Sequence, residues 1–234
     1  MIQENTYKWL SNVGEGFEFA RVNNKPLFLF FCSETCFFCH RTDMVVYSRQ
    51  NVADLIQSEF IHVRLKPERP DVFRSFTVNK VPAFIVTDAD GLECERCSGF
   101  HEAEALAAFC LIALGKFYYA CHKIEKAQIY LERLISSYSR SIYAPEAVFL
   151  LGIYRYLTTH DPAHLKTSLF SLAKNYPDSI WVRRSLVLQC HPSTVTEWDI
   201  YQRQHRDYWK SQDAYLKAYF TYYNGPSDHH LKET

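Results

Sequence analysis

Residues 27–40 read Leu-Phe-Leu-Phe-Phe-Cys-Ser-Glu-Thr-Cys-Phe-Phe-Cys-His, and this stretch decides the fold. Its first part, Leu27 to Cys32, is continuously apolar, as a strand covered on both faces must be. The polar residues that follow are able to cap a helix, and we expect that helix to run from about Cys36 through Val45. The stretch therefore predicts a buried strand that leads into a helix, with Cys36 and Cys39 at the junction.

The spacing of Cys36 and Cys39 predicts thiol chemistry. Two cysteines separated by two residues at such a junction can form a disulfide, and the unpaired N–H groups at a helix start favour the thiolate of the first. A thiolate is the attacking species in disulfide exchange. We therefore expect Cys36 to be the attacking thiol and Cys39 to resolve the mixed disulfide.

The pattern around this stretch predicts a mixed sheet with helices on both faces. A helix is expected over residues 7–22, a strand over 60–65, a short helix around 72–76 and a helix from 103 to 114. The turn signal Asp88-Ala89-Asp90-Gly91 predicts that strands 84–86 and 92–97 pair antiparallel. The expected order is α-β-α-β-α-β-β-α.

Residues from about Trp9 to Leu114 resemble the thioredoxin family. The resemblance rests on strand Leu27–Phe31, the Cys36–Cys39 motif, Val81-Pro82, the Asp90-Gly91 hairpin and Gly99. The chain is closer to the branch of the family that has a histidine after the second cysteine, here His40, than to ordinary thioredoxin. The resemblance implies an α/β thioredoxin-like fold. It also implies that Pro82 follows a cis bond beside the disulfide, and that Val81 offers its backbone to the substrate.

Three departures from the family pattern bear on the activity. Thr35 precedes the motif, Phe37-Phe38 replaces the usual Gly-Pro, and Phe30 replaces the buried acid of the first strand. The usual reductase partnership and the direction of the redox reaction are therefore left open. Phe37 and Phe38, if exposed, favour an apolar protein substrate; the alternative is that both rings simply pack.

Other readings of the cysteines remain open. Cys36 and Cys39 can be inert buried thiols, and Cys36-Phe37-Phe38-Cys39-His40 formally fits a c-type haem attachment motif. Cys94 and Cys97 on a strand should point to opposite faces and should not bond each other. Together with Cys36 and Cys39 they offer a less favoured zinc site. We expect no metal and no cofactor, with His40 and Cys32 as candidate auxiliary residues.

The second half of the chain predicts helices. Apolar and small residues recur with the spacing of a tetratricopeptide helix pair: Leu111, Leu114, Gly115, Tyr118, Ala127, Leu131 and Leu134. A looser second copy runs from Leu151-Gly152 to Tyr176-Pro177-Asp178, with capping helices expected over 180–189 and 198–223. The predicted organisation is a thioredoxin-like domain over 1–112, a tetratricopeptide-like domain over 113–223 and a flexible tail over 224–234.

Composition excludes several classes of function. The 234 residues are 47% hydrophobic and 22% charged, with a formal net charge of zero. Residues 1–112 hold 11 Lys and Arg against 15 Asp and Glu, and residues 113–234 hold 15 against 11. Neither imbalance makes a strong case for a nucleic-acid or anionic-lipid partner. Residues 1–8 lack a signal-peptide pattern and the run Pro26 to Cys32 is too short to span a bilayer, so we expect a cytoplasmic protein with no membrane span.

The leading hypothesis is therefore a thiol–disulfide oxidoreductase that acts on protein disulfides, with the helical repeats as a protein-docking surface. An alternative is a redox-linked chaperone or adaptor that binds clients without turnover, and a third is a scaffold with a silent motif. A chaperone predicts an exposed apolar patch on the helices, near Tyr154, Tyr156 or Tyr222.

Overall fold

A computed structural model describes residues 9–186, of which those up to Ser185 belong to one compact unit. The elements of the first part are α1 (Val13–Asn23), β1 (Leu27–Phe31), α2 (Phe37–Arg41), a π-helical turn (Thr42–Val46), α3 (Gln50–Glu59), β2 (Ile61–Leu65), α4 (Pro70–Ser75), β3 (Ala83–Thr87) and β4 (Glu93–Ser98). The helices that follow are α5 (Ala103–Ala120), α6 (Ile124–Ser137), α7 (Ala144–Thr159), α8 (Ala163–Asn175) and α9 (Ile180–Ser185).

The four strands form one mixed sheet in the order β2-β1-β3-β4. β1 runs parallel to β2 and antiparallel to β3, and β3 and β4 form the predicted hairpin. Every residue of β1 is fully buried. Phe28 and Phe30 belong to a core cluster that includes residues of α3 and α5, whereas Leu29 packs with residues of α1 and α4. The predicted mixed sheet with helices on both faces is confirmed.

The helix expected from Cys36 through Val45 has the predicted extent, but it changes from α-helical to π-helical along its length. α2 ends at Arg41, and the next turn is π-helical, with the Tyr47 N–H donating to the Thr42 carbonyl at 3.1 Å. The buried Thr42 hydroxyl donates to the Phe38 carbonyl at 2.9 Å. The Phe38 carbonyl thus accepts a side-chain hydrogen bond as well as backbone ones, at the point where the helix changes from α to π.

A β-bulge in β4 overturns the expected placement of Cys94 and Cys97. Thr87 pairs with Glu93 and Val86 pairs with Glu95, so Cys94 is an extra residue between two paired ones. A bulge reverses the alternation of side chains beyond it. Both cysteines consequently pack against the same core cluster, and the prediction of opposite faces is wrong. Both are free thiols, as expected.

Helix α5 runs without a break across the predicted domain boundary between residues 112 and 113, and that boundary stays a prediction. Among residues 9–186, α5 is the helix long and apolar enough to cross a membrane by length and composition alone. Within the protein, 67% of its apolar window is buried. Burial against the sheet and the later helices accounts for its apolar composition.

The helices form two successive hairpins with matching details. His122 and His160, 38 positions apart, take left-handed backbone angles with φ of 57° and 58°. Tyr138 and Tyr176, again 38 apart, end α6 and α8. A Cβ added to Gly115 would clash with the Leu131 side chain, and a Cβ added to Gly152 would clash with the Ser168 side chain. The predicted helical region is confirmed. The matching residues lie 38 positions apart, whereas the tetratricopeptide repeat has about 34 residues, so the tetratricopeptide character stays a prediction.

Polar contacts fix the helical region to the sheet domain. The Lys116 ammonium donates to Glu95 of β4 at 2.6 Å and lies 2.7 Å from a Glu146 oxygen of α7. The Tyr130 hydroxyl of α6 donates to Glu59 of α3 at 2.5 Å. The two regions therefore hold a fixed mutual orientation.

The predicted apolar patch on the helices is partly overturned. Tyr154 is 3% exposed because its ring stacks on Tyr119 with centroids 4.3 Å apart, and Tyr156 is half-buried. Helix α9 lies within the predicted capping helix over 180–189. Residues 187–189, the helix over 198–223 with Tyr222, and the tail over 224–234 lie outside the described residues.

Candidate active site

Cys36 lies between the end of β1 and the start of α2, where the sequence places it. It occupies the N-cap position of α2 with extended backbone angles, and its sulfur accepts the Cys39 N–H at 3.2 Å. Its thiol also donates to the Val81 carbonyl at 3.6 Å. Cys36 is half-buried, and its sulfur contacts the protein at the Cys39 N–H and the Val81 carbonyl.

Cys39 lies one helical turn further, inside the protein. It is 2% exposed and packs in the core cluster between the sheet and α5. The pKa of Cys39 is raised to about 12, mainly by burial and to a smaller extent by its hydrogen bond with Cys36. Cys36 and Cys39 are free thiols. The pair thus combines a half-buried cysteine with a buried one.

Val81 and Pro82 border Cys36, and the peptide bond between them is cis, as the family resemblance implies. Pro82 is buried, and its carbonyl accepts the Gly99 N–H at 2.8 Å, which ties the loop to the end of β4. Val81 is half-buried with its carbonyl directed at the Cys36 sulfur. The structure therefore brings together Cys36, Cys39, Val81 and Pro82.

The two residues between the cysteines of the motif carry exposed aromatic rings. Phe37 is 70% exposed and Phe38 is 49% exposed, so the alternative that both rings pack in the interior is disfavoured. The Phe38 ring lies 6.0 Å from the Phe100 ring, and the Arg41 guanidinium lies 4.7 Å from the centroid of Phe100. The sequence analysis missed Phe100; its position directly after Gly99, at the end of β4, was the available signal.

His40 does not contact either sulfur by hydrogen bond; its ring Nε2 lies 2.6 Å from the Glu34 carbonyl oxygen. The Glu34 carboxylate in turn accepts a hydrogen bond from Lys66 at 2.6 Å, and this contact lowers the pKa of Glu34. Both interactions hold the loop that precedes Cys36, so His40 acts on the loop rather than on a thiolate in this arrangement.

An ion pair between Arg64 and Asp43 lies beside Phe30, the residue at the position of the absent acid. Phe30 stacks on Phe84 at 5.1 Å, and the Arg64 guanidinium lies 5.1 Å from the Phe30 ring and bonds the Asp43 carboxylate. The sequence analysis missed this pair. The parallel register that sets Arg64 opposite Phe30 depends on the tertiary fold and left no local signal.

The metal and haem alternatives receive no geometric support. Over residues 9–186, no three His, Cys, Asp or Glu side chains lie close enough together to hold a metal ion. Cys94 and Cys97 lie on β4, where burial raises the pKa of each thiol to about 12. A haem linked through both sulfurs needs both exposed, and Cys39 is not.

Comparison with known proteins identifies this part of the chain. Residues 14–111 match the family model of a thioredoxin-like domain. The N-terminal part of this protein is a thioredoxin-like domain; α5 runs from this domain into the helical region, and helices α6 to α9 follow it.

Two sequence relatives match shorter parts of the chain. The chain is 33% identical over 69 residues to spermatogenesis-associated protein 20 of Homo sapiens, which is 29% of this chain and 9% of that protein. It is 29% identical over 86 residues to an uncharacterized protein of Caenorhabditis elegans, or 36% of this chain and 11% of that protein. The matches span about a tenth of the length of these relatives.

Solved structures of similar shape include a DsbH oxidoreductase, at 17% identity and a TM-score of 0.41, over 46% of this chain and 83% of that one. A thioredoxin from Thermus thermophilus is 19% identical with a TM-score of 0.40, over 50% of this chain and 88% of that one.

Proposed function

We propose that the protein is a thiol–disulfide oxidoreductase that exchanges disulfides with protein substrates through Cys36 and Cys39. One observation carries the proposal: the sulfur of the half-buried Cys36 accepts the Cys39 N–H at 3.2 Å while Cys39 itself is buried. An N–H bond to sulfur stabilises a thiolate, and the second thiol lies within one turn of the first.

The reaction balances without a cofactor. The Cys36 thiolate attacks one sulfur of a substrate disulfide, and the other substrate sulfur leaves as a thiolate. Cys39 then attacks the Cys36 sulfur of the mixed disulfide, which releases the second substrate thiolate. The two protons of the dithiol pass to the two substrate thiolates. The products are a reduced substrate and a Cys36–Cys39 disulfide, and the reverse sequence oxidises a substrate dithiol.

The proton on Cys39 has to leave during the second step. Burial raises the pKa of this thiol, and Phe30 occupies the place of the acid that assists in the family pattern. The departing substrate thiolate is then the base within reach, since it is generated beside Cys36. Resolution rather than the first attack should limit the rate.

The surroundings of Cys36 suit an extended apolar segment of a protein. Val81 offers backbone groups beside the sulfur, Pro82 shapes the groove, and Phe37 and Phe38 offer exposed rings. We further propose that helices α5 to α9 form a protein-docking surface held in fixed orientation to the motif, and that the protein acts in the cytoplasm.

A redox-linked chaperone or adaptor is the second candidate, and a groove in the helical region favours it. The groove has a volume of about 290 Å³ and is lined by residues of α6, α7 and α8, among them Ile135, Leu151 and Arg155. In this function the groove binds a partner, and Cys36 and Cys39 regulate that binding without turnover.

Reduction of insulin by dithiothreitol, with the protein as catalyst, separates the two functions. Catalysis predicts that Cys36→Ser abolishes the acceleration, whereas Cys110→Ala, which removes a buried thiol of α5, keeps it. If the wild-type protein gives no acceleration but suppresses aggregation of an unfolded client, the oxidoreductase proposal fails and the chaperone function stands.

A further inference from the structure

A series of contacts leads from Cys36 round to Phe100. The Cys36 thiol donates to the Val81 carbonyl, and the carbonyl of the next residue, Pro82, accepts the Gly99 N–H at 2.8 Å. Phe100 directly follows Gly99, whose φ of 87° lies in the left-handed region that glycine favours. These contacts place Phe100 at the border of the site.

Phe37, Phe38 and Phe100 form a row of rings, here called the aromatic shelf. The Phe37 and Phe38 rings lie 5.5 Å apart, and the Phe38 and Phe100 rings lie 6.0 Å apart. The first two are largely exposed and Phe100 is half-buried. Cys32, by contrast, is 6% exposed and is not part of this surface. The shelf therefore begins next to Cys36 and continues beyond the motif onto the segment that precedes α5.

A cation lies at the Phe100 end of the aromatic shelf. The Arg41 guanidinium carbon lies 4.7 Å from the centroid of the Phe100 ring, and one guanidinium nitrogen lies 3.5 Å from a Glu102 oxygen. The Arg41 and Glu102 side chains are 46% and 64% exposed. Since a guanidinium has five N–H donors, a second carboxylate can bind Arg41 beside Glu102 or in its place.

We propose that Phe100 and Arg41 are specificity-determining residues, which select substrate segments with an aromatic residue beside the cysteine and a carboxylate two residues beyond that ring. The inference rests on the proposed oxidoreductase function. Side chains two residues apart in an extended segment lie on one face, about 6.6 Å apart. The substrate ring packs on the aromatic shelf, and the carboxylate pairs with Arg41, which lies 4.7 Å from the Phe100 ring.

Reduction of synthetic peptide disulfides by the pre-reduced full-length protein tests this selection. Each probe is the disulfide-linked dimer of one peptide that carries a Phe beside its cysteine and Glu, Gln or Lys two positions beyond the Phe, in both chain directions. The second-order rate constant is divided by that of dithiothreitol, which corrects for the intrinsic reactivity of each probe. The corrected rate should be about fivefold higher with Glu than with Lys.

Variants separate selection from a structural role. Arg41→Gln should bring the Glu and Lys rates together, and Arg41→Glu should reverse their order. Glu102→Gln should increase the preference for Glu, because it removes the carboxylate that competes for Arg41. Phe100→Ala should narrow the difference between a probe with Phe and one with Ala in its place. Arg21→Gln, which breaks an exposed pair with Asp90 beyond the other end of β3, should keep the wild-type preference.

The possible outcomes distinguish this inference from the proposed function. If the wild-type protein reduces the Glu, Gln and Lys probes at equal corrected rates, the specificity proposal alone is overturned. The same holds if Arg41→Gln lowers all three rates by one factor, since that result assigns Arg41 a structural role. If the protein reduces none of the probes and forms no Cys36–Cys39 disulfide, the oxidoreductase function fails and the selection fails with it.

Discussion

The N–H of Cys39 donates to the sulfur of Cys36 at 3.2 Å, so the backbone of the buried cysteine contacts the sulfur that its own thiol attacks in the proposed second step. The same turn of helix therefore serves both steps of exchange. It follows that the two cysteines should differ sharply in what their removal does.

Removal of Cys39 should trap the substrate. In Cys39→Ser the attack by Cys36 proceeds, but nothing resolves the mixed disulfide, so a covalent complex with a disulfide-bearing protein should accumulate. Cys36→Ser should form none and should lose turnover by on the order of a thousandfold or more. Non-reducing electrophoresis with mass spectrometry measures both. An equal yield of complex from the two variants would contradict these roles.

The exposed rings beside the motif should affect large substrates only. Phe37→Ser combined with Phe38→Ser should raise KM for insulin, since each ring offers apolar area to a protein segment. The rate with glutathione disulfide should stay unchanged. Leu92→Ser, at a 67% exposed position on the hairpin, is the matched control. An equal loss for both disulfides would assign the rings to the folding of the motif instead.

The ion cluster at Lys116 should hold the sheet to the helices. Lys116→Met leaves Glu95 and Glu146 without their shared cation and should lower the free energy of unfolding by about 1 to 3 kcal/mol. Burial opposes the charge on Lys116, but hydrogen bonds to Glu146 and Glu95 raise its pKa overall. Its contribution is therefore complete below the unfolded pKa of about 10.4 and is lost as the pH rises through the folded value.

Urea unfolding at pH 7 measures this effect, and a second pair provides the control. Arg155 and Glu132 form an ion pair on exposed helix faces, with side chains 39% and 48% exposed. Arg155→Met should cost under about 1 kcal/mol, because water screens an exposed pair. If Arg155→Met and Lys116→Met lower the free energy of unfolding equally, the structural role assigned to Lys116 is contradicted.

Close helix contacts should make Gly152 intolerant of a side chain. A Cβ there would lie 2.4 Å from the Ser168 Cβ, so Gly152→Ala forces α7 and α8 apart and should cost about 1 to 3 kcal/mol. Ser137→Ala, at the exposed end of α6, should change stability little. Chemical denaturation with an unchanged m-value would measure the difference.

The half-buried thiol of Cys97 should make the fold lose stability in alkali. The folded protein holds the Cys97 proton to about pH 12 through burial, whereas an unfolded cysteine releases it from about pH 8.5. Stability from this group is complete below that lower value and falls as the pH rises between the two. Cys97→Ala should flatten the decline between pH 8.5 and 10.5, and Ser98→Ala should not. An identical slope for both variants would exclude the contribution of Cys97.

Local patterns in the sequence predicted much of this fold, because the features concerned are local. The apolar run of β1, the Asp88–Gly91 turn and the cysteines at a strand-to-helix junction each express a short-range preference, and the structure has all three. The bulge at Cys94 was missed, since it depends on how β4 pairs with β3. The Arg64–Asp43 pair and the burial of Tyr154 on Tyr119 likewise depend on contacts between distant segments.

A redox titration of the full-length protein tests the central claim most directly. The protein is equilibrated in glutathione buffers from about −120 to −320 mV, quenched, and its free thiols are located by alkylation and peptide mapping. We predict a reversible two-electron transition in which Cys36 and Cys39 lose their thiols together. Free thiols at both positions across the whole range, or a transition confined to other cysteines, would contradict the account.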